Sequence, residues 1–176
     1  MTKSKAVLTQ INLILLAVSL IFTATSVYAS NDPTQQFKKI GQGEMSWLFF
    51  DLYHASLYSE SGDYRSQGYP QALKIIYKRD IYSDDLVDVT EKEWLKLGLT
   101  PETYQEWLPV LLTMWPDIKD GDELVFLVQA DGRGYFYHNN LVLGGIDSHE
   151  FSSAFLAIWL SENTSEPGLR RQLIGE

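Results

Sequence analysis

The chain has 176 residues, 45% of them hydrophobic, with no cysteine and a formal net charge of −9. That acid excess argues against a nucleic-acid-binding role, which needs clustered Lys and Arg, and against adhesion to anionic lipid. The missing thiols exclude disulfides, Cys-ligated metals, thiol redox chemistry and a lipid-anchoring lipobox.

In chain order, the first segment is a targeting signal. Lys3 and Lys5 precede an apolar run over residues 11–22, interrupted by Asn12 and Ser19. Its length suits a signal h-region and falls short of the ~20 apolar residues that span a bilayer. Val27, Tyr28 and Ala29 supply a cleavage site after Ala29. The expectation is a signal peptide over residues 1–29, a mature domain over 30–176 and export to the periplasm. An extracellular location would carry the same signature, and the alternative is an uncleaved anchor. Without Lys3 and Lys5, 12 basic residues face 23 acidic ones, a net charge of −11. A mature length of about 150 residues suits one domain with one core.

Residues 30–36 are polar and read as a loose leader. Residues 44–59, with Trp47, Phe49, Phe50, Tyr53, Leu57 and Tyr58, predict one strand, or two with a bend near Asp51. Gly62, Gly68 and Pro70 mark a loop over 61–70. Residues 72–79 predict a strand with Leu73, Ile75, Tyr77 and Arg79 on one face.

Ser83 is placed to cap a helix whose first turn carries Asp84 and Asp85 and which Gly98 ends. Leu86, Val89, Thr90, Trp94 and Leu97 recur along it at helical spacing. Thr100 and Pro101 start a second helix with an apolar stripe from Tyr104 to Trp115, and Pro109 predicts a kink or break within it. An acidic turn over 117–122 leads to a strand over 124–129 buried on both faces. Asp131-Gly132 predicts a hairpin, and Asn139-Asn140 joins strands over 135–138 and 141–146. Asp147 and Glu150 resemble a capping box for a helix burying Phe151, Ala154, Phe155 and Ile158. Ser165 is placed to cap a last helix burying Leu169, Leu173 and Ile174. Grouped strands and helices predict an α+β fold with an antiparallel sheet and helices on one side.

Motifs for chemistry are sparse. The chain has no Gly-x-Ser-x-Gly elbow, and Gly41-Gln42-Gly43 is too short for a phosphate loop. His54, His138 and His149 lack metal spacing, and Lys119 and Gly121 fall where a calcium loop needs ligands. No cofactor and no metal are expected. The Tyr and Trp content suits either core packing or an aromatic pocket for an apolar ligand. Trp107 and Trp115 read as core. Tyr77 and Arg79 read as a candidate clamp for a carboxylate head, with the tail along Ile75 and Leu73. Tyr53 and Trp94 complete the candidate binding set. The alternative for Arg79 is an ion pair with Asp80, Asp84 or Asp85.

Five segments carry a family resemblance. Phe50-Asp51-Leu52-Tyr53-His54-Ala55-Ser56-Leu57-Tyr58, the strand Ala72-Leu73-Lys74-Ile75-Ile76-Tyr77-Lys78-Arg79-Asp80-Ile81, the turn Trp115-Pro116-Asp117-Ile118-Lys119-Asp120-Gly121-Asp122, Ala157-Ile158-Trp159-Leu160, and Leu169-Arg170-Arg171-Gln172-Leu173-Ile174-Gly175 occur in order across the mature chain. Together they resemble the bacterial, signal-peptide-bearing branch of the chalcone isomerase-like family. The resemblance implies an open-faced β-sandwich, an antiparallel sheet with a helical layer over one face and a ligand cleft between. Plant chalcone isomerases close a flavanone ring with an Arg and a Thr from the first hairpin and a Tyr and an Asn from the first helix. In this chain the Thr position falls near Leu48, the Tyr near Asp85 and the Asn near Lys92, and no Arg lies between Phe37 and Tyr53. Non-enzymatic members bind fatty acids through an Arg–Tyr clamp, for which Tyr77 and Arg79 are the nearest candidates without a positional match.

Three readings follow. The first is a non-catalytic binding protein for a small apolar or amphipathic ligand, a fatty acid or phenolic. The second is an isomerase or intramolecular lyase using Tyr hydroxyls with Lys or Arg. The third is a periplasmic accessory protein that binds a macromolecular partner through its acidic surface. Neither nucleic acid nor a lasting membrane anchor is expected as a partner.

Overall fold

A computed structural model describes residues 32–47 and 50–176, and the expected signal peptide with its cleavage site lies outside them. Six strands form one sheet in simple spatial order, every neighbouring pair antiparallel. They are β1 (Lys38–Trp47), β2 (Phe50–Ser59), β3 (Gln71–Tyr77), β4 (Glu123–Val128), β5 (Gly134–His138) and β6 (Leu141–Ile146). The helices α1 (Ser83–Lys96), α2 (Pro101–Tyr104) and α3 (Trp107–Met114) lie between β3 and β4 in sequence, and α4 (His149–Leu160) and α5 (Pro167–Ile174) follow β6. The α+β arrangement expected from grouped strands and helices is the one found.

Strand alternation sorts the side chains into two layers. Leu57, Leu73, Phe126 and Phe136 stand opposite one another across β2 to β5, and all are buried beneath the helices. The next row in the same direction pairs Ala55 with Ile75 and Ile75 with Leu124. The row beyond pairs Tyr53 with Tyr77. On the opposite face a smaller cluster of Ala72, Val125 and Leu127 packs with Phe37, Tyr58 and Tyr137. Strand β4 is therefore apolar on both faces, as its unbroken run predicted. On this second face Lys74 joins Asp32 at 3.1 Å and Glu123 at 2.6 Å, fastening the leader to the sheet.

An aromatic core holds the helices to the sheet. Phe126, Phe136, Phe151 and Phe155 meet mostly edge to face, at centroid separations of 4.5–6.1 Å. Trp94 packs with Tyr104, Trp107 and Phe151, and its indole donates to the Ala154 carbonyl at 3.0 Å. Trp107 and Trp115 are buried as expected.

Several local expectations are corrected. Ser83 is the first residue of α1 and not its cap; its own N–H donates to the Asp117 carboxylate, so the helix start is capped from the turn before β4. The expected break near Pro109 falls earlier, at Gln105 and Glu106. Pro109 lies in the first turn of α3, where its missing N–H has no intrahelical partner to lose. Ser148, not Asp147, caps α4 by accepting the Phe151 N–H. Ser165 does not cap α5, and its hydroxyl donates to Glu93 instead. Strand β3 ends at Tyr77, two residues short of Arg79.

Candidate ligand-binding cleft

Between the Tyr53–Tyr77 end of the sheet and the helices lies a cavity of about 200 Å³. Its floor is the sheet: Met45, Leu52, Tyr53, Ile75, Tyr77 and Leu124. Helix α1 contributes Leu86, Val89, Thr90 and Glu93, spaced at three and four residues, as its second stripe. The opposite wall is Phe155, Ile158 and Trp159 of α4. Trp115, Ile81, Asp85, Ser165 and Glu166 complete the rim. The lining is mostly apolar with a few polar groups, the usual character of a small-molecule site, and its volume lies below the roughly 300–1,000 Å³ typical of such sites.

The polar groups gather around Tyr53. Trp159 Nε1 donates to the Tyr53 hydroxyl at 2.9 Å. Burial, reinforced by the nearby Glu166 and Glu93 carboxylates and offset by the Trp159 bond, pushes the Tyr53 phenol up to about 12. The Tyr77 ring meets Tyr53 edge-on with centroids 6.0 Å apart. Tyr77 is 5% exposed, and its hydroxyl has no hydrogen-bond partner among the described residues. Burial raises its pKa further, so both phenols stay protonated in the physiological range. Trp115 lines the same cavity, and its buried indole N–H also has no partner among the described residues. Thr90 spends its hydroxyl on the Leu86 carbonyl within α1.

The charged residues of the lining are all acids: Asp85, Glu93 and Glu166. Glu93 is held by Lys96 at 2.7 Å and accepts from the Ser165 hydroxyl at 2.6 Å. The lining can therefore enclose an apolar body and offer hydroxyl hydrogen bonds, with negative charge around the polar end.

Three of the five residues singled out from sequence, Tyr53, Ile75 and Tyr77, meet in this cleft. Arg79 does not. The chain leaves β3 after Tyr77 to reach the Ile81–Ile118 bridge, and Arg79 is exposed outside the lining. Asp80, one alternative partner for Arg79, pairs with Lys119 at 3.0 Å instead. Trp94 is fully buried in the core and not in the cleft. Of the positions matched to the plant enzymes, Asp85 lies at the rim, Lys92 is exposed and Leu48 falls outside the described residues. Sequence reasoning missed Trp159, Glu93 and Glu166. The available signals were the Phe155–Trp159 pair four residues apart on α4 and the 86, 89, 90, 93 stripe on α1.

Comparison with known proteins agrees with this fold. The chain superposes on the crystal structure of a fatty-acid binding protein of Arabidopsis thaliana with a TM-score of 0.63, over 80% of this chain and 87% of that one. At 11% identity that likeness speaks to the fold. It is 31% identical over 156 residues to an uncharacterized protein of Haemophilus influenzae, a match covering 89% of this chain and 77% of that one. Residues 27–175 match the family described as chalcone isomerase-like, and the chain belongs to that family.

Proposed function

We propose that the protein is an exported, non-catalytic binding protein that holds a small apolar or amphipathic molecule, of fatty acyl or phenolic kind, between its sheet and its helices. The observation that carries this reading is the preformed cavity of about 200 Å³, walled by Ile75, Leu124, Leu86, Phe155 and Ile158. Apolar surface left open to solvent inside a folded domain is costly at roughly 25 cal/mol per Å², and a ligand that covers it recovers that free energy. The fatty-acid binding neighbour of the same fold supports the reading. Periplasmic export rests on the Lys3–Ala29 pattern of the sequence.

The test is native mass spectrometry of the mature protein recovered from its own cells by osmotic shock. Anything bound is then extracted and identified. The expected result is a chain beginning at Ser30 that carries a stoichiometric small molecule, lost in a Val89→Trp variant that fills the cavity mouth. A protein that arrives empty and ignores a panel of fatty acids and phenolics would sink the binding reading. Recovery only with the cytoplasmic fraction would sink export.

A further inference from the structure

Resting on the ligand-binding reading, we infer that the cleft selects an uncharged hydroxyl head, a phenol or alcohol, and rejects a carboxylate of the same length.

The charge of the site is the first reason. A bound carboxylate normally meets a guanidinium, an ammonium or a row of N–H donors. Here the lining carries three acids and, among the described residues, no Lys, Arg or His. Arg79, the nearest candidate from sequence, is exposed outside the lining. Lys96 reaches Glu93, while Asp85 and Glu166, both exposed at the rim, have no ion-pair partner among the described residues. Taking a further negative charge into this partly dehydrated space costs more than it would in water.

The second reason is the hydrogen-bonding inventory. Tyr53 accepts from Trp159 and still has its own proton to give, with no acceptor among the described residues. Tyr77 is buried to 95% and lines the cavity, and its hydroxyl, which makes no hydrogen bond among the described residues, can both give and accept. The neighbouring carboxylates only accept. A head that satisfies both sets must accept from a phenol and donate to an oxygen. A hydroxyl does both. An ammonium donates but cannot accept, which leaves the Tyr53 proton unpaired. A carboxylate accepts but cannot donate, and faces Glu93 and Glu166.

The experiment compares four ligands built on the same ten-carbon chain at neutral pH: 1-decanol, decylamine, sodium decanoate and methyl decanoate. Binding is read by calorimetry and by quenching of tryptophan fluorescence. Decanol is expected to bind roughly tenfold tighter than decanoate, about 1.4 kcal/mol, and tighter than decylamine. Tyr77→Phe should lower decanol affinity more than methyl decanoate affinity, because the ester can only accept from Tyr77 whereas the alcohol can accept and donate. Glu93→Gln with Glu166→Gln should raise decanoate affinity and close most of the gap. Decanoate binding as tightly as decanol overturns the head-group assignment, as does decylamine binding tightest. Equal binding of all four, the ester included, overturns the selectivity but leaves the cavity as an apolar site. No binding by any of the four overturns the selectivity and the ligand-binding reading together.

Discussion

Trp159 and Tyr53 tie helix α4 to strand β2 at the cleft through one hydrogen bond, indole N–H to phenol oxygen, at 2.9 Å. The two residues are 106 apart in sequence. Both are partly buried, so the bond forms where competing water is scarce and a lost partner is costly. Trp159→Phe keeps an aromatic ring against Phe155, whose centroid lies 5.4 Å away, but removes the donor. The expected cost is about 1 kcal/mol, a drop in Tm of roughly 3 °C for a domain of this size. Thermal unfolding followed by circular dichroism reads it. An unchanged Tm would mean that water replaces the indole without loss.

Alkaline pH probes the same place. Burial is the main cause that pushes the Tyr53 phenol up to about 12, above the usual tyrosine value of about 10. A folded-state pKa above the unfolded one means that the stabilisation is complete below about pH 10. It is lost as pH rises through the folded value. The protein should therefore lose stability progressively above pH 10. A spectrophotometric titration should contain a tyrosinate component near pH 12 that disappears in Tyr53→Phe. Ionisation of every tyrosine by pH 11 in the folded protein would contradict the geometry of the cleft.

Local patterns in the sequence carried the fold far. Period-two alternation found β3, the unbroken apolar run found a doubly buried β4, and Asn139-Asn140 marked a turn whose two residues have φ of 49° and 68°. What failed was local chemistry satisfied from a distance. Ser83 looked like a cap because the Asp117 carboxylate that does the work is 34 residues away. Arg79 looked like a cleft residue because alternation continued past Tyr77, and only the bridge between Ile81 and Ile118 shows why the strand stops there. Part of the cleft was legible for the same reason. Tyr53, Ile75 and Tyr77 share a sheet face that can be read by counting in twos. Glu93, Trp159 and Glu166 join them only when α1, α4 and α5 are packed over that face.

Two glycines on β1 separate backbone from side-chain crowding. A methyl at Gly41 would overlap the backbone carbonyls of Gln172 and Leu173 in α5, which cannot yield without moving the helix. A methyl at Gly43 would meet the Gln172 side-chain oxygen, which can rotate away, although Leu169 also crowds it. Gly41→Ala should cost about 1–3 kcal/mol and Gly43→Ala distinctly less. Urea unfolding of the two variants gives the comparison. A larger loss at Gly43 would show that α5 shifts more easily than its side chains do.

Acid stability should depend on Asp122. Burial raises its pKa, but Asn139 Nδ2 at 2.8 Å, the Lys119 backbone N–H at 2.8 Å and His138 Nε2 at 3.0 Å outweigh that and hold the carboxyl below the usual aspartate range. A depressed folded pKa gives stabilisation that is complete above about pH 4 and lost as pH falls through the folded value. Stability of the parent protein should fall more steeply between pH 4 and 2 than that of Asp122→Asn, which starts lower and has no carboxyl to protonate there. Parallel curves for the two proteins would remove Asp122 from the acid transition.

Arg79 and Val89 make opposite predictions for binding, and the contrast locates the site. A carboxylate clamp of Tyr77 and Arg79 would make Arg79→Ala the most damaging single change for an acidic ligand. In the structure Arg79 is exposed outside the cavity, so Arg79→Ala should leave affinity within about twofold and stability within roughly 0.5 kcal/mol. Val89 lines the cavity from α1 and is 55% exposed, so a larger side chain is tolerated there while it fills the mouth. Val89→Trp should lower affinity for an apolar ligand at least tenfold with little change in Tm. Calorimetric titration of both variants with decanol decides between the two placements. Loss of binding in Arg79→Ala with retention in Val89→Trp would move the site off the Tyr53–Tyr77 cleft and onto the outer end of β3.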